Sequence, residues 1–288
     1  YKRIRCPGPP MNRPALLRSM LYALTLAAAL YACVLALLWF GQERLLFLPT
    51  PLAPSYPLAR EPDVHERFVD VPGARLSLLE LRLPDPRGVV FFLHGNAGNL
   101  ESWFVNADFY RRANFDLVML DYRGYGKSSG RIASEEQLHG DVSAVWQQVA
   151  PRYAGKRIVF YGRSLGTGLA ARLAVQSPPD LTMLVSPYES MVALARTHYP
   201  WVPGALLRYP LRTDEQIGRV RTRIGDDPTT REILVLAHST ADGVGIELKR
   251  MPRPVAQMQP DGQATDEWLL AQHGVYKLIR ELGRGGMG

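Results

Sequence analysis

The stretch that decides the fold is RIVFYGRSLGTG, residues 157–168. It begins with a short apolar run typical of a β-strand, continues with the turn Gly-Arg-Ser-Leu-Gly at 162–166, and leads into an alanine-rich helical stretch. This is the G-x-S-x-G pattern of a nucleophile elbow, in which a tight strand-to-helix turn exposes a serine hydroxyl. We therefore predict that Ser164 is a nucleophile. The open alternative is an ordinary Ser/Gly turn at the end of a strand.

Two glycine-rich loops upstream support the first interpretation. Residues 88–99, GVVFFLHGNAGN, join a continuous apolar run, as a strand buried on both faces requires, to a loop with two glycines. Residues 115–130 repeat the arrangement, with DYRGYGKSSG after the apolar run. We expect the backbone N–H groups of Leu165 and Asn96 to hold a developing oxyanion. We expect His94 to stabilise its loop rather than to act as a base.

These three blocks, in this order and spacing, resemble the α/β-hydrolase superfamily. More narrowly, they are similar to its small membrane-anchored branch, which includes protein depalmitoylase-like thioesterases. The blocks SPYES at 186–190 and HYPWVP at 198–203 are similar to the same branch. The resemblance runs from about residue 44 to about residue 220. It implies a doubly wound, mostly parallel α/β sheet and an ester or thioester hydrolase with Ser164 as nucleophile.

The alternation of strands and helices agrees with such a sheet. The expected elements are strands at 67–71, 75–83 and 181–185, the first two joined by a Pro-Gly turn, and helices at 101–113 and 134–149. In the last helix, Ser134 and Gln137 have the spacing of a capping box. His139 on that helix is expected to be a surface residue.

Composition agrees with one catalytic domain. At 288 residues and 47% hydrophobic content, the chain can bury one sizeable core. Its net charge of +7 is unevenly placed, because five basic residues precede the first acid, Glu43, and the remainder carries only +2. We therefore expect no nucleic-acid partner. Cys6 and Cys33 are the only cysteines and lie outside the expected domain, so no disulfide is predicted, and no metal or cofactor is implied.

An apolar segment near the N-terminus predicts a membrane anchor. Residues 19–40 are uncharged and, at about 1.5 Å per residue, long enough to cross a hydrocarbon core of about 30 Å. The basic tail 1–18 precedes this transmembrane helix, so the positive-inside rule places the N-terminus in the cytoplasm and the catalytic domain on the far side. A cleaved signal peptide is the alternative. Because Met11 stands within the tail, residues 1–10 could lie outside the natural translation product.

Three further segments follow the anchor. Residues 41–62 contain five prolines and are expected to form an extended spacer that lifts the domain off the membrane. Residues 63–248 form the expected hydrolase domain, in which the family pattern is lost after about residue 220. Residues 249–288 combine a linker with YKLIRELGRGGMG, which resembles the first strand and glycine-rich loop of bacterial serine/threonine protein kinases. The other kinase motifs are missing, so we expect no phosphoryl transfer and interpret the chain as a hydrolase incomplete at its C-terminus, with a fused kinase-like fragment.

The partners of the serine are harder to find. The resemblance implies a triad in the chain order serine, acid, histidine. The charged insertion 221–232 interrupts the pattern, and the chain resumes with ILVLAHSTADGV at 233–244. Asp242 is the predicted acid, and the alternative is a simple Asp-Gly turn. His273 is the only histidine downstream of it, so chain order selects His273 as the base, with an ordinary surface histidine as the alternative.

Two functions are consistent with these features. The first is a membrane-anchored serine hydrolase of carboxylic esters or thioesters. Apolar residues after the last expected strand would suit an acyl chain, although core packing is their commoner fate; they are Tyr188, Met191, Trp201 and Leu206. The second is a catalytically incompetent remnant or scaffold, whose serine lacks a base.

Overall fold

The computed structural model describes residues 13–220 and the backbone of residues 233–236. The predicted acid Asp242, the predicted base His273 and the kinase-like segment lie outside these residues. The chain divides into two units, one ending at Gln42 and the other beginning at Glu43.

Most of the long helix α1 (Arg13–Leu46) lies in the first unit. This helix contains the whole of the predicted transmembrane segment and continues beyond it. From Pro14 to Leu46 it is long and apolar enough to cross a membrane, with a mean hydropathy of 2.3. A signal sequence near an N-terminus would pass the same test of length and composition.

The second unit contains a seven-stranded sheet with the order β2-β3-β6-β4-β7-β8-β9. Its antiparallel pairs are β2 with β3 and β3 with β6, and the remaining pairs are parallel. A further parallel pair, β1 with β5, lies outside this sheet. The strands are β1 (Leu48–Pro49), β2 (Val64–Val71), β3 (Ala74–Leu81), β4 (Gly88–Leu93), β5 (Ala97–Gly98), β6 (Phe115–Leu120), β7 (Arg157–Arg163), β8 (Leu181–Val185) and β9 (Ile233–Leu236).

Helices cover both faces of the sheet, which explains why its central strand β4 is apolar throughout. All six residues of β4 are buried, and alternate side chains belong to different core clusters. Phe91 packs in one cluster with Trp146, at 5.3 Å between ring centroids, and Phe92 packs in the other. The helices of this unit are α2 (Leu100–Trp103), α3 (Ala107–Ala113), α4 (Glu135–Val149), α5 (Leu165–Gln176), α6 (Met191–His198) and α7 (Thr213–Ile217).

One helix prediction and the predicted exposure of His139 need revision. The helix expected at 101–113 is split into α2 and α3, because Asn106 adopts a left-handed conformation with φ 60°. The helix expected at 134–149 is present as α4, with Gln137 N–H donating to Ser134 Oγ at 3.0 Å. However, His139 is not a surface residue: it is 6% exposed and faces Glu135 one turn away. Burial lowers the pKa of His139.

Residues 43–62 belong to the second unit instead of forming a separate spacer. The ring of Phe47 packs edge-on against Tyr209 at 5.1 Å, and Glu43 accepts a hydrogen bond from the Tyr209 hydroxyl at 2.9 Å. Leu48 begins the parallel pairing of β1 with β5, and Leu58 is buried. Extended, proline-rich chain suits an edge strand, because proline lacks only the N–H group that such a strand leaves unpaired.

Glu80 on β3 is a buried carboxylate surrounded by arginines. It is fully inaccessible and accepts hydrogen bonds from Arg67 Nε at 3.0 Å, Arg82 Nε at 2.7 Å and Arg152 Nη1 at 3.1 Å. Burial alone would raise the pKa of Glu80, but the three guanidinium groups outweigh it and the pKa is lowered. The ionised carboxylate therefore stabilises the folded state.

Replacing Glu80 tests this cluster. Glu80→Gln should lower the free energy of unfolding at pH 7 by about 1.5–3 kcal/mol, the usual range for charge-assisted hydrogen bonds. Because the folded pKa is lowered, this difference should be complete above the normal glutamate range and shrink as pH falls through the folded pKa. Urea unfolding at pH 7 and in acid measures both effects. Asp70→Asn, at an exposed carboxylate 3.9 Å from Arg75, should change little at either pH.

Candidate active site

Ser164 lies at the junction of β7 and α5 in a strained conformation. Its φ of 49° and ψ of −117° are rare for a residue with a side chain. The strain is held by the surroundings: its N–H donates to Val185 O at 2.9 Å, and its carbonyl accepts from Thr167 N–H at 2.9 Å and Thr167 Oγ1 at 2.7 Å. The side chain itself is exposed. A reactive hydroxyl needs this combination of fixed backbone and open access.

The glycines on either side allow strand, helix and loop to approach closely. A Cβ on Gly162 would lie 2.7 Å from Thr167 Cα, and a Cβ on Gly166 would overlap the carbonyl of Leu93 at the end of β4. Neither position accepts a side chain without movement of backbone. The elbow is therefore pressed against the strand that leads into the upstream glycine-rich loop.

That upstream loop lies beside Ser164. A Cβ on Gly95 would be 3.7 Å from Ser164 Cβ, so the peptide that carries the Asn96 N–H is next to the serine. Leu165 is the first residue of α5, and N–H groups in a first helical turn have no acceptor within the helix. The structure thus brings together three residues that the sequence assigns to one site: Ser164, Leu165 and Asn96.

His94 is a structural part of the loop. Its ring is fully buried, with Nδ1 2.7 Å from Gly95 O and Nε2 3.5 Å from Asp121 Oδ1. It lies between aromatic rings, 4.3 Å from Tyr122 and 5.9 Å from Trp103. Burial raises the pKa of Asp121, an effect that the neighbouring His94 ring only partly offsets. Both ring nitrogens therefore face groups other than the serine.

Known proteins are similar in sequence to this chain. The family model described as "Serine aminopeptidase, S33" matches residues 84–213. Human alpha/beta hydrolase domain-containing protein 17B is 31% identical over 218 residues, which cover 71% of this chain and 70% of that protein, and the Xenopus tropicalis protein of the same name is 32% identical over the same share. The chain belongs to the α/β-hydrolase superfamily.

Two further comparisons cover a smaller share of the chain. An uncharacterised protein of Mycobacterium tuberculosis strain H37Rv is 33% identical over 181 residues, and the chain spans only 62% of its length. The crystal structure of an alpha-beta hydrolase from Vibrio vulnificus superposes with a TM-score of 0.50 at 21% identity. That superposition covers 62% of this chain and 64% of the Vibrio chain, and it supports the fold alone.

Besides His94, the structure of this α/β hydrolase describes three histidines within residues 13–220. His139 is buried in α4, and His198 on the exposed surface of α6 has its Nδ1 3.2 Å from Leu194 O. His65 lies on β2, at the edge of the sheet furthest from β9. Within residues 13–220, no histidine forms a hydrogen bond with Ser164. The predicted base, His273, stays a prediction outside these residues.

The strand β9 ends at the same edge of the sheet as the elbow, and the predicted acid follows it in the sequence. β9 pairs in parallel with β8, with Ile233 opposite Thr182. The carboxyl ends of parallel neighbours meet at one edge of a sheet, and Ser164 lies at that edge, after β7. Asp242 follows the end of β9 by six residues, which is the expected place for the acid of a triad. Its own position lies outside the described residues.

Trp103 is a site residue that the sequence did not indicate. Its ring would contact a Cβ on Gly95 at 3.1 Å, and its Nε1 donates to Ala97 O at 2.7 Å. The guanidinium carbon of Arg163, the residue before the serine, lies 5.4 Å from the ring centroid. No local pattern marks this tryptophan, because it reaches the loop only when α2 folds back over the loop.

The segment after β8 differs in burial along its length. Tyr188 donates a hydrogen bond to Leu165 O at 3.2 Å, and both Tyr188 and Met191 pack against the core. Leu206 is partly buried, whereas Trp201 keeps half of its surface exposed. Among the described residues, no group of three or more His, Cys, Asp or Glu side chains could hold a metal ion.

The close approach at the elbow can be tested with a matched pair of glycines in helices. Gly166→Ala should destabilise the fold by about 1–3 kcal/mol, because its Cβ overlaps backbone that cannot yield cheaply. Gly140→Ala in α4 meets nothing within 4 Å and should stabilise by about 0.5–1 kcal/mol. Urea unfolding measures both. Equal effects of the two substitutions would contradict the packing described for the elbow.

Proposed function

We propose that this chain is a serine hydrolase of carboxylic esters or thioesters, with Ser164 as the nucleophile. The observation that carries the proposal is the strained backbone of Ser164, with φ 49°, at the end of β7. Such strain costs of order 1–3 kcal/mol and is found mainly where function requires it. Membership of the α/β-hydrolase superfamily and the match to a serine peptidase family model support the same chemistry.

The proposed reaction has two stages. Ser164 Oγ attacks the acyl carbon while His273 takes its proton, and the N–H groups of Leu165 and Asn96 stabilise the oxyanion. The bond to the alcohol or thiol then breaks, and His273 returns the proton to this leaving group. Water attacks the acyl-enzyme by the same route and releases the carboxylic acid. Asp242 holds the imidazole of His273 in the required tautomer.

We also propose that α1 anchors the enzyme in a membrane. The basic tail 1–18 then stays in the cytoplasm, and the catalytic unit lies on the far side. The resemblance to depalmitoylase-like thioesterases favours substrates with an acyl chain.

Labelling with a fluorophosphonate probe tests the nucleophile. The detergent-solubilised wild-type chain should be labelled, and Ser164→Ala should abolish the labelling without changing the free energy of unfolding by more than about 1 kcal/mol. Ser143→Ala, a serine on α4 with no part in the proposed site, should be labelled like the wild type. A folded wild-type chain without labelling would leave only the scaffold function.

Hydrolysis of p-nitrophenyl acyl esters and acyl thioesters tests the other two triad residues. His273→Ala and Asp242→Asn should each lower kcat by at least about 10³-fold, because triad members act as a unit. His198→Ala, at an exposed histidine on α6, serves as the control and should keep full activity. Full activity in His273→Ala would show that the base is another residue.

A further inference from the structure

The backbone of Asn96 is held on both of its sides. The peptide that precedes it has its carbonyl, Gly95 O, 2.7 Å from His94 Nδ1. The peptide that follows it has its carbonyl, Asn96 O, bonded to two donors. Because each peptide is planar, fixing both planes fixes the φ and ψ of Asn96 and hence the direction of its N–H.

Tyr125 supplies one of those donors. Its side chain is fully buried, and its hydroxyl donates to Asn96 O at 2.7 Å. The ring lies 5.4 Å from His94 and packs edge-on against Tyr122, whose own hydroxyl donates to His94 O at 2.9 Å. A tyrosine with its ring held on these sides cannot move its hydroxyl away from the loop without repacking.

The strand β1 supplies the other donor and continues the contact along the loop. Leu48 N–H donates to Asn96 O at 2.8 Å and Thr50 N–H donates to Gly98 O at 3.1 Å. In return, Asn99 Nδ2 donates to Thr50 O at 2.8 Å. Only Phe47 separates β1 from the last residue of α1 in the sequence.

We propose that Tyr125 and β1 are positioning elements of the oxyanion hole, which aim the Asn96 N–H by holding the Asn96 carbonyl and the loop behind it. The inference rests on the proposed function, because the oxyanion role of Asn96 belongs to that proposal. It assigns the segment directly after α1 a part in the reaction, beyond linking the anchor to the domain.

Substitutions of tyrosine by phenylalanine in the full chain separate positioning from general stability. Tyr125→Phe removes only the hydroxyl that reaches Asn96 O. Tyr153→Phe is the matched control, since Tyr153 is equally buried and its hydroxyl donates to Asp116 Oδ2 at 2.7 Å. Two quantities are measured for each: hydrogen–deuterium exchange of peptides covering residues 94–100, and kcat and KM for a p-nitrophenyl ester.

Tyr125→Phe should speed exchange in residues 94–100 and lower kcat about tenfold, with KM within about twofold, because a misplaced donor weakens binding of the transition state more than that of the substrate. Tyr153→Phe should leave the exchange of this loop and kcat unchanged. Unchanged exchange and kcat in Tyr125→Phe, or equal effects in both variants, would overturn the proposal.

A second pair of variants tests β1 and does not depend on tyrosine packing. Thr50→Pro removes the N–H that donates to Gly98 O, within a run that already contains Pro49 and Pro51. Thr50→Val keeps that N–H and the side-chain shape. Faster exchange of residues 94–100 in Thr50→Pro alone supports the proposal, and equal exchange in both variants contradicts it. If the wild type hydrolyses nothing, the proposed function fails, while the exchange data still decide whether these elements hold the loop.

Discussion

The constraint on which the structure depends is the contact of Gly166 with the carbonyl of Leu93. It brings the start of α5 against the end of β4, so that the serine elbow and the upstream loop share one edge of the sheet. Gly162 likewise allows β7 and α5 to approach closely. Side chains at these positions would separate strand, helix and loop by the width of a methyl group or more, and a site that needs three backbone segments in register would be lost.

The loop that follows β4 has a different physical basis, because it is held mainly by buried polar groups. His94, Tyr122 and Tyr125 each place a hydrogen-bonding atom against a backbone carbonyl of this loop inside the aromatic cluster around the ring of His94. A buried carbonyl without a partner costs about 1–3 kcal/mol, so each of these contacts favours one loop conformation over others. Rigidity of this kind is what an oxyanion hole requires, since its donors must be in place before charge develops.

Local sequence patterns predicted much of the fold. The strands at 88–93, 115–120 and 181–185 are present with the same bounds, because a continuous apolar run between turn residues leaves few alternatives in a sheet covered on both faces. Prediction was wrong where a tertiary contact decided the outcome. His139 is buried because other elements of the fold cover that face of α4. The proline-rich stretch 43–62 packs on the domain because the ring of Phe47 contacts the ring of Tyr209.

The sequence by itself determined the superfamily, the elbow around Ser164 and the order of strands and helices, because these depend on residue type and spacing over short distances. It also predicted Asp242, from its place after an apolar run, and His273, from chain order alone. Only the tertiary structure decided which groups hold the loop beside the elbow: Tyr125 and the strand β1 come from distant parts of the chain. Their contacts depend on how helices, loops and strands pack in three dimensions, and no pattern of neighbouring residues encodes that packing.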